Sequence, residues 1–596
     1  MTVSERISAL RGKMAEHGVD AYVIPSADYH QSEYVGDHFK AREFVTGFTG
    51  SVATAVITAD DAALWVDGRY FIQAERQLAG SEVRMFKMGV DGFDTIVEYL
   101  EKAVPQGGKL GFDGRVVAYE EGKEYAEKMK GKDASVEYSL DLVHEIWNDR
   151  PAALSKPVFV LETRYSGETV ASKLARLRKK MVDAGATHHV VATLDDIAWL
   201  LNLRGGREIA NTPLFLSYFM MDAEKAALYA DEGKFSPEIK AALERDGVRI
   251  KPYNGIYADI AGLEPQSILM IDPELVNYAL VASTKCRKVE KANPAVMFKA
   301  CKNETELENI RKAHIKDSVA QTKFMHWIKT NAGKIDITEI SAGEKLERLR
   351  AEQDGFLWPS FAPIVAYKEH AAMAHYHAEP ETNKSIRAEH MVLTDSGGNY
   401  MEGATDVSRT YVLGEISHEL KTHFTAVVRG VINLSTVRFL KGVHGFNLDV
   451  LARRPLWDVG LDFKHGTGHG VGYLTTIHEA PCRIRWQVPA NKPIQPPLEE
   501  GMMLSNEPAA YVEGSHGIRI ENEIVVRKGE ANDQGQFMYF ETVTFTPIDL
   551  DAILPEMLTP AEKEFLNDYH KKVYELVGPH MDDTQREWLK TYTREI

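Results

Sequence analysis

Cysteine is nearly absent from this chain: 596 residues hold three, Cys286, Cys301 and Cys482. An odd number with no Cys-x-x-Cys spacing excludes both a disulfide framework and a zinc ribbon, and it fits a reducing compartment. Long apolar runs are also missing. No stretch approaches the roughly 20 residues that a membrane-spanning helix needs. The leading residues Met1-Thr2-Val3-Ser4-Glu5-Arg6 carry charge at once and offer no apolar signal core. Positive charge is in deficit, with 70 Lys and Arg against 87 Asp and Glu and a formal net charge of −17. That balance opposes a nucleic-acid surface and favours solubility. The expectation is a cytoplasmic protein with neither nucleic acid nor membrane as a partner. Its length exceeds what one core supports, so several domains are expected.

The first half contains an internal repeat. Leu10-Arg11-Gly12-Lys13-Met14 leads through Gly18 to Ala21-Tyr22-Val23-Ile24. Leu177-Arg178-Lys179-Lys180-Met181 leads through Gly185 to His188-His189-Val190-Val191. Both read as an amphipathic helix, a glycine stop and an apolar strand. Ala63-Leu64-Trp65-Val66-Asp67 and Ala227-Leu228-Tyr229-Ala230-Asp231 extend the match at nearly the same offset. Two matched pieces outweigh chance similarity and predict two duplicated α/β domains, residues 1–150 and 151–302. Proline near Pro151 and a new helical run after Cys301 set those boundaries. A third domain is expected over 303–547. A helical extension should follow over 548–596, with Thr559 as cap and Pro560 in the first turn.

Chemistry concentrates in that third domain. Asp395 follows the apolar run Met391-Val392-Leu393 and precedes a Ser-Gly-Gly turn, and Asp406 returns eleven residues later. A hairpin of that length brings two carboxylates to one place. Two Asp beside a glycine-rich turn are ordinarily turn formers, but three more ligand candidates follow. His469 lies in His465-Gly466-Thr467-Gly468-His469-Gly470, where the glycines argue against a helix. Glu507 follows Met502-Met503-Leu504 and precedes Pro508, which places it at a strand end. The run Ile518 to Val526 reads as one strand, with Arg519, Glu521 and Glu523 on one face. Periodicity leaves Glu521 and Glu523 both open, and an ion pair with Arg519 is the plain alternative for either. Four carboxylates and one imidazole could hold two divalent cations that clamp and ionise a water for hydrolysis. Carboxylate-rich ligation suits a hard ion, with Mn2+ first and zinc, cobalt or iron also able to bind.

These settings, in this order, resemble the pita-bread metallopeptidases, a family that includes methionyl aminopeptidase, prolidase and aminopeptidase P. The resemblance implies that Asp395 chelates a first ion, that Asp406 and Glu521 bridge two ions, and that His469 and Glu507 complete the second. It selects Glu521, the glutamate before Asn522, over Glu523. His375, His465 and His478 match substrate-handling positions, and Arg519 matches the arginine beside the last ligand. Pro25 to Tyr34, Gly47 to Ser51, Trp65 to Tyr70 and Ile146 to Pro151 resemble the first domain of three-domain Xaa-Pro aminopeptidases. Asp195 to Gly205 resembles their middle domain. The implied architecture is α/β (α+β): two creatinase-type N-terminal domains, then a C-terminal pita-bread catalytic domain, in a homodimer.

The implied reaction is removal of the first residue from peptides with proline second. In it Glu507 would move the water proton, His478 would stabilise the oxyanion, and His375 and His465 would position substrate. An apolar cleft including Phe361 would take the proline ring. Prolidase action on Xaa-Pro dipeptides and a non-catalytic peptide-binding module are the competing readings. The chain departs from the family pattern at Ala362-Pro363, Ala480 and Ala509, and none of these changes removes a ligand.

Overall fold

The structure, a computed structural model, describes residues 1–488 and 494–596. The chain forms two compact units: Met1–Leu161 with Glu168–Ala295, and Val296–Ile596 with the short segment Glu162–Gly167.

In the first unit, helix α1 (Val3–His17) begins at a Thr2–Glu5 capping box and stops at Gly18, whose φ of 62° suits only a residue without Cβ strain. Its buried face is Ile7, Leu10 and Met14. It feeds β1 (Ala21–Pro25), followed by β2 (Thr54–Thr58), β3 (Ala62–Val66), β4 (Arg84–Lys87), β5 (Lys109–Phe112) and β6 (Ser135–Glu137). The sheet order is β4-β3-β2-β1-β5-β6. The β1–β2 and β2–β3 pairs are antiparallel and the other three are parallel.

Helix α2 (Val170–Asp183) opens the second half of this unit with Leu174, Leu177 and Met181 buried. Strands β7 (His188–Val191), β8 (Tyr218–Asp222), β9 (Ala226–Tyr229), β10 (Val248–Lys251), β11 (Ile268–Ile271) and β12 (Arg287–Glu290) follow. Their order is β10-β9-β8-β7-β11-β12, with the same two antiparallel and three parallel pairings. The repeat legible in the sequence is thus one topology built twice. The matched segments at Ala63 and Ala227 both fall on the third strand of their sheets.

The second unit opens with α3 (Glu304–Asn331), capped by Asn303 and Glu306, and α4 (Glu339–Ala351). Strands β13 (Ile364–Tyr367), β14 (Met391–Ser396) and β15 (Val407–Val412) form an antiparallel sheet. Helix α5 (His418–Ser435), the short strand β16 (Phe439–Leu440) and α6 (Gly445–Trp457) lead to β17 (Gly468–Gly470), β18 (Glu479–Ile484) and β19 (Met503–Asn506). The hairpin β20 (Ala509–Val512) and β21 (His516–Arg519) precedes β22 (Asn522–Asn532) and β23 (Gly535–Thr542). The large sheet runs β16-β23-β22-β19-β17-β18. Helix α7 (Pro560–Val577) starts at the expected Thr559 cap and Pro560 first turn, and α8 (Asp583–Tyr592) ends the fold. Leu566, Val573 and Val577 of α7 join Val427, Val431, Ile518 and Ile520 in one core. Full burial of each such side chain contributes about 1.5–3 kcal/mol.

One element differs from the sequence reading. The run Ile518 to Val526 is two strands, not one: β21 pairs with β20, and β22 pairs with β19. The chain crosses between sheets at Ile520–Glu521. The crossing is held from β15, where the Ser408 carbonyl accepts the Glu521 N–H at 3.0 Å. The buried Arg409 guanidinium donates to the Glu521 carbonyl, to Asn522 Oδ1, and to Pro547 and Thr546 carbonyls. A strand that changes partners leaves its crossing residue free of either ladder, and that residue is Glu521.

Candidate metal centre

Each candidate ligand is on, or next to, a strand fixed by backbone pairing. Asp395 pairs with Ser408 across β14–β15, and Asp406 immediately precedes β15, so the hairpin places both carboxylates at one edge. His469 is in the middle of β17, where the backbone runs close to its neighbour. A Cβ on Gly468 would lie 1.9 Å from the Ser505 carbonyl, so only glycine permits the approach. Glu507 follows β19, with its N–H donated to the Thr467 carbonyl at 2.8 Å. Asn506 beside it is tied to α5 through Val431 O and Ser435 Oγ.

Donor atoms of Asp406, His469 and Glu521 lie within 4.8 Å of one another. His469 Nδ1 bonds the Gly470 carbonyl at 2.9 Å. A carbonyl can only accept, so Nδ1 carries the proton and the Nε2 lone pair is left for the cluster. That Nε2 is 3.6 Å from Asp406 Oδ2 and 3.8 Å from Glu507 Oε1. Asp395 Oδ2 accepts from Arg519 Nη2 at 2.6 Å, while its Oδ1 is buried without a hydrogen bond. Glu521 accepts from Ser408 Oγ at 2.8 Å.

The structure also places the proposed substrate-handling residues. His465 Nδ1 lies 3.9 Å from Glu507 Oε2, and its Nε2 bonds Tyr511 Oη at 3.0 Å. The rings of His469 and His478 pack edge to face at 4.3 Å, and the His478 charge acts on Glu507. Arg519 bridges Asp395 and Tyr511. Phe361 shortly precedes β13 and His375 is on the loop after it, and β13 is the strand beside the one carrying Asp395.

Glu523, which periodicity could not separate from Glu521, instead lies 2.5 Å from His314 Nε2 on α3. Both side chains are fully buried. Sequence reasoning missed His314 and Tyr511, which no spacing rule ties to the ligands. It also passed over Ser408 and Arg409, although both stand within three residues of Asp406. Removing His314 leaves a buried carboxylate short of its partner. His314→Ala is expected to cost about 3–5 kcal/mol of unfolding free energy, read from denaturant midpoints.

The donor set fits divalent cations. Burial pushes Asp406 and Glu507 well above the usual carboxylate range, and the charge of Glu521 adds to it in both. Burial, then the Asp395 charge, pushes Glu521 up to about 8. Crowded, partly unsatisfied carboxylates beside an inward imidazole lone pair are what a cation relieves. In chelated protein the unfolded chain ionises Glu521 near 4.5, while the folded chain keeps that proton up to about 8. The folded state then binds more protons, so metal-free stability should fall as pH rises across that window. Thermal melts of chelated protein check this. The fall should vanish on adding divalent metal, and a flat or rising profile without metal contradicts it.

A buried, imidazole-containing carboxylate cluster is the equipment of a metal-dependent hydrolase. Residues 308–528 match metallopeptidase family M24, and residues 536–596 match the C-terminal region of that family. Residues 6–143 and 149–306 each match the creatinase/prolidase N-terminal domain. Aminopeptidase P2 of Arabidopsis thaliana is 36% identical, over 100% of this chain and 89% of that protein. Xaa-Pro aminopeptidase 1 of Dictyostelium discoideum is also 36% identical, over 100% and 97%. The crystal structure of X-prolyl aminopeptidase from Caenorhabditis elegans, described as a cytosolic enzyme with a di-nuclear active site, superposes with a TM-score of 0.95. It is 32% identical with full coverage of both chains. The chain belongs to metallopeptidase family M24 and, within it, to the aminopeptidase P (Xaa-Pro aminopeptidase) group.

Proposed function

We propose that this chain binds two divalent cations, Mn2+ in the first instance, and releases the N-terminal residue from peptides with proline second. The observation that carries the reading is the convergence of Asp406, His469 and Glu521 on one point, with Asp395 and Glu507 at its edge. Asp395, Asp406, His469, Glu507 and Glu521 are the assigned ligands. The full-length likeness to aminopeptidases P supports the substrate class. By the same likeness we assign residues 1–150 and 151–302 as creatinase-like domains, 303–547 as catalytic and 548–596 as its helical extension. A homodimer in the cytoplasm completes the proposal. Among the described residues, no helix is long and apolar enough to cross a membrane.

Bound cations supply an acidified water and polarise the scissile carbonyl. The chain's residues do the rest. Glu507 accepts the water proton on its carboxylate and returns it to the leaving proline nitrogen. His478 donates a hydrogen bond to the carbonyl oxygen as charge develops there. Arg519 bonds Asp395 Oδ2 and leaves its buried Oδ1, which has no hydrogen bond, as a donor for a cation. His465, bonded to Tyr511, and His375 position the peptide across the centre, and Phe361 offers its ring to proline. Proline lacks an N–H, so recognition of this bond has to rest on ring contact and the free amino terminus.

Hydrolysis of Arg-Pro-Pro, Arg-Ala-Ala and Gly-Pro by chelated and manganese-restored protein tests the reading. Metal-dependent release of Arg from Arg-Pro-Pro alone is expected. Preference for Gly-Pro would make the chain a prolidase, and no cleavage with any metal would make it a binding module.

A further inference from the structure

Glu339 opens helix α4 next to its Thr338 cap, and its side chain is fully buried. A buried carboxylate is costly unless its oxygens are bonded. Here they collect donors from one loop. Oε1 accepts the Tyr367 N–H at 2.8 Å and His370 Nδ1 at 2.9 Å. Oε2 accepts Tyr376 Oη at 2.9 Å and the Lys384 N–H at 3.0 Å. The backbone doubles the attachment. Glu339 N–H donates to the Lys384 carbonyl, Ile340 N–H to Asn383 Oδ1, and Ile386 N–H to the Ile337 carbonyl.

The opposite side of the same loop is clamped by the hairpin that carries Arg519. A Cβ on Gly517 of β21 would lie 1.7 Å from the Ala371 carbonyl, so loop and strand touch backbone to backbone. His375 falls between these two attachments, after Ala371 and directly before Tyr376. Tyr376, its immediate neighbour, is anchored to Glu339 and packs its ring at 4.5 Å from that of His370. His377, one residue further, is within electrostatic reach of Asp395.

We propose that Glu339 is a positioning residue for the reaction: its carboxylate gathers the 367–384 loop and so fixes where His375 meets the substrate. This rests on the assignment of His375 as a substrate-handling group. The carboxylate is needed as an acceptor on both oxygens. Glu339→Gln turns one of them into a donor facing donors, at unchanged size.

The test is kcat and KM for Arg-Pro-Pro, with metal content measured, for the full-length manganese-loaded chain and for Glu339→Gln, His375→Ala and the double variant. Glu339→Gln should lower kcat/KM about 10²-fold, the cost of displacing a substrate-contacting group by about 1 Å. Metal content should stay at the wild-type level. The double variant should be no worse than His375→Ala, because the two changes remove one function. Losses that multiply, an unchanged kcat/KM in Glu339→Gln, or an inert His375→Ala would each overturn the proposal. Should Glu339→Gln fail to fold, Tyr376→Phe removes a single donor. It should lose about tenfold, again without adding to His375→Ala, and additive losses would overturn the proposal there too. A wild-type chain that leaves Arg-Pro-Pro intact would instead overturn the aminopeptidase reading, and this inference with it.

Discussion

Asp406→Asn is expected to abolish turnover and release metal together. Asp406 is 4% exposed and 3.6 Å from His469 Nε2, in one cluster with Glu521, and by the family resemblance it would serve both cations. An amide keeps the shape but loses the charge, and it offers one oxygen where two are needed. Metal polarisation of a carbonyl contributes several kcal/mol at the transition state, so the loss should reach about 10³-fold or more in kcat. Glu521→Gln should behave alike, since it stands at the sheet crossing with Ser408 and Arg409 fixing it from below. Glu523→Gln separates the two glutamates: it touches His314, not the donor cluster, and should retain metal. Elemental analysis with single-substrate kinetics reads all three. Wild-type activity in a folded, metal-loaded Asp406→Asn would remove the site assignment.

His478→Ala is expected to lower kcat by about 10²–10³-fold, the range for loss of one oxyanion donor, with metal content unchanged. His478 packs edge to face on His469 and acts on Glu507 without being one of the donor atoms that converge. Its removal should therefore spare affinity for the cations and act on the transition state. Loss of metal in this variant would make it a ligand-bracing residue and move the oxyanion role elsewhere.

Much of this was legible from residues alone, for identifiable reasons. Asp395 and Asp406 were readable because an apolar strand, a glycine turn and a returning strand fix a hairpin whatever surrounds it. Glu507 was readable because an apolar run ending before proline marks a strand end. The duplicated α/β halves were readable because a helix, a glycine stop and a strand recur in register. Other features depend on contacts distant in sequence. The break at Ile520–Glu521 comes from a change of sheet partner, which period-two alternation cannot register. His314 meets Glu523 from a helix more than two hundred residues earlier, so no local pattern announces it. Glu339 looks like an ordinary first-turn acid on α4, and only the fold turns it toward the His375 loop.

Calorimetric titration of the chelated chain with Mn2+, with Arg-Pro-Pro turnover followed in parallel, counts the cations that the reaction needs. Two equivalents should bind per chain, with release of Arg rising as they fill. A single equivalent at full activity, or Arg release that survives chelation, would contradict the two-cation assignment.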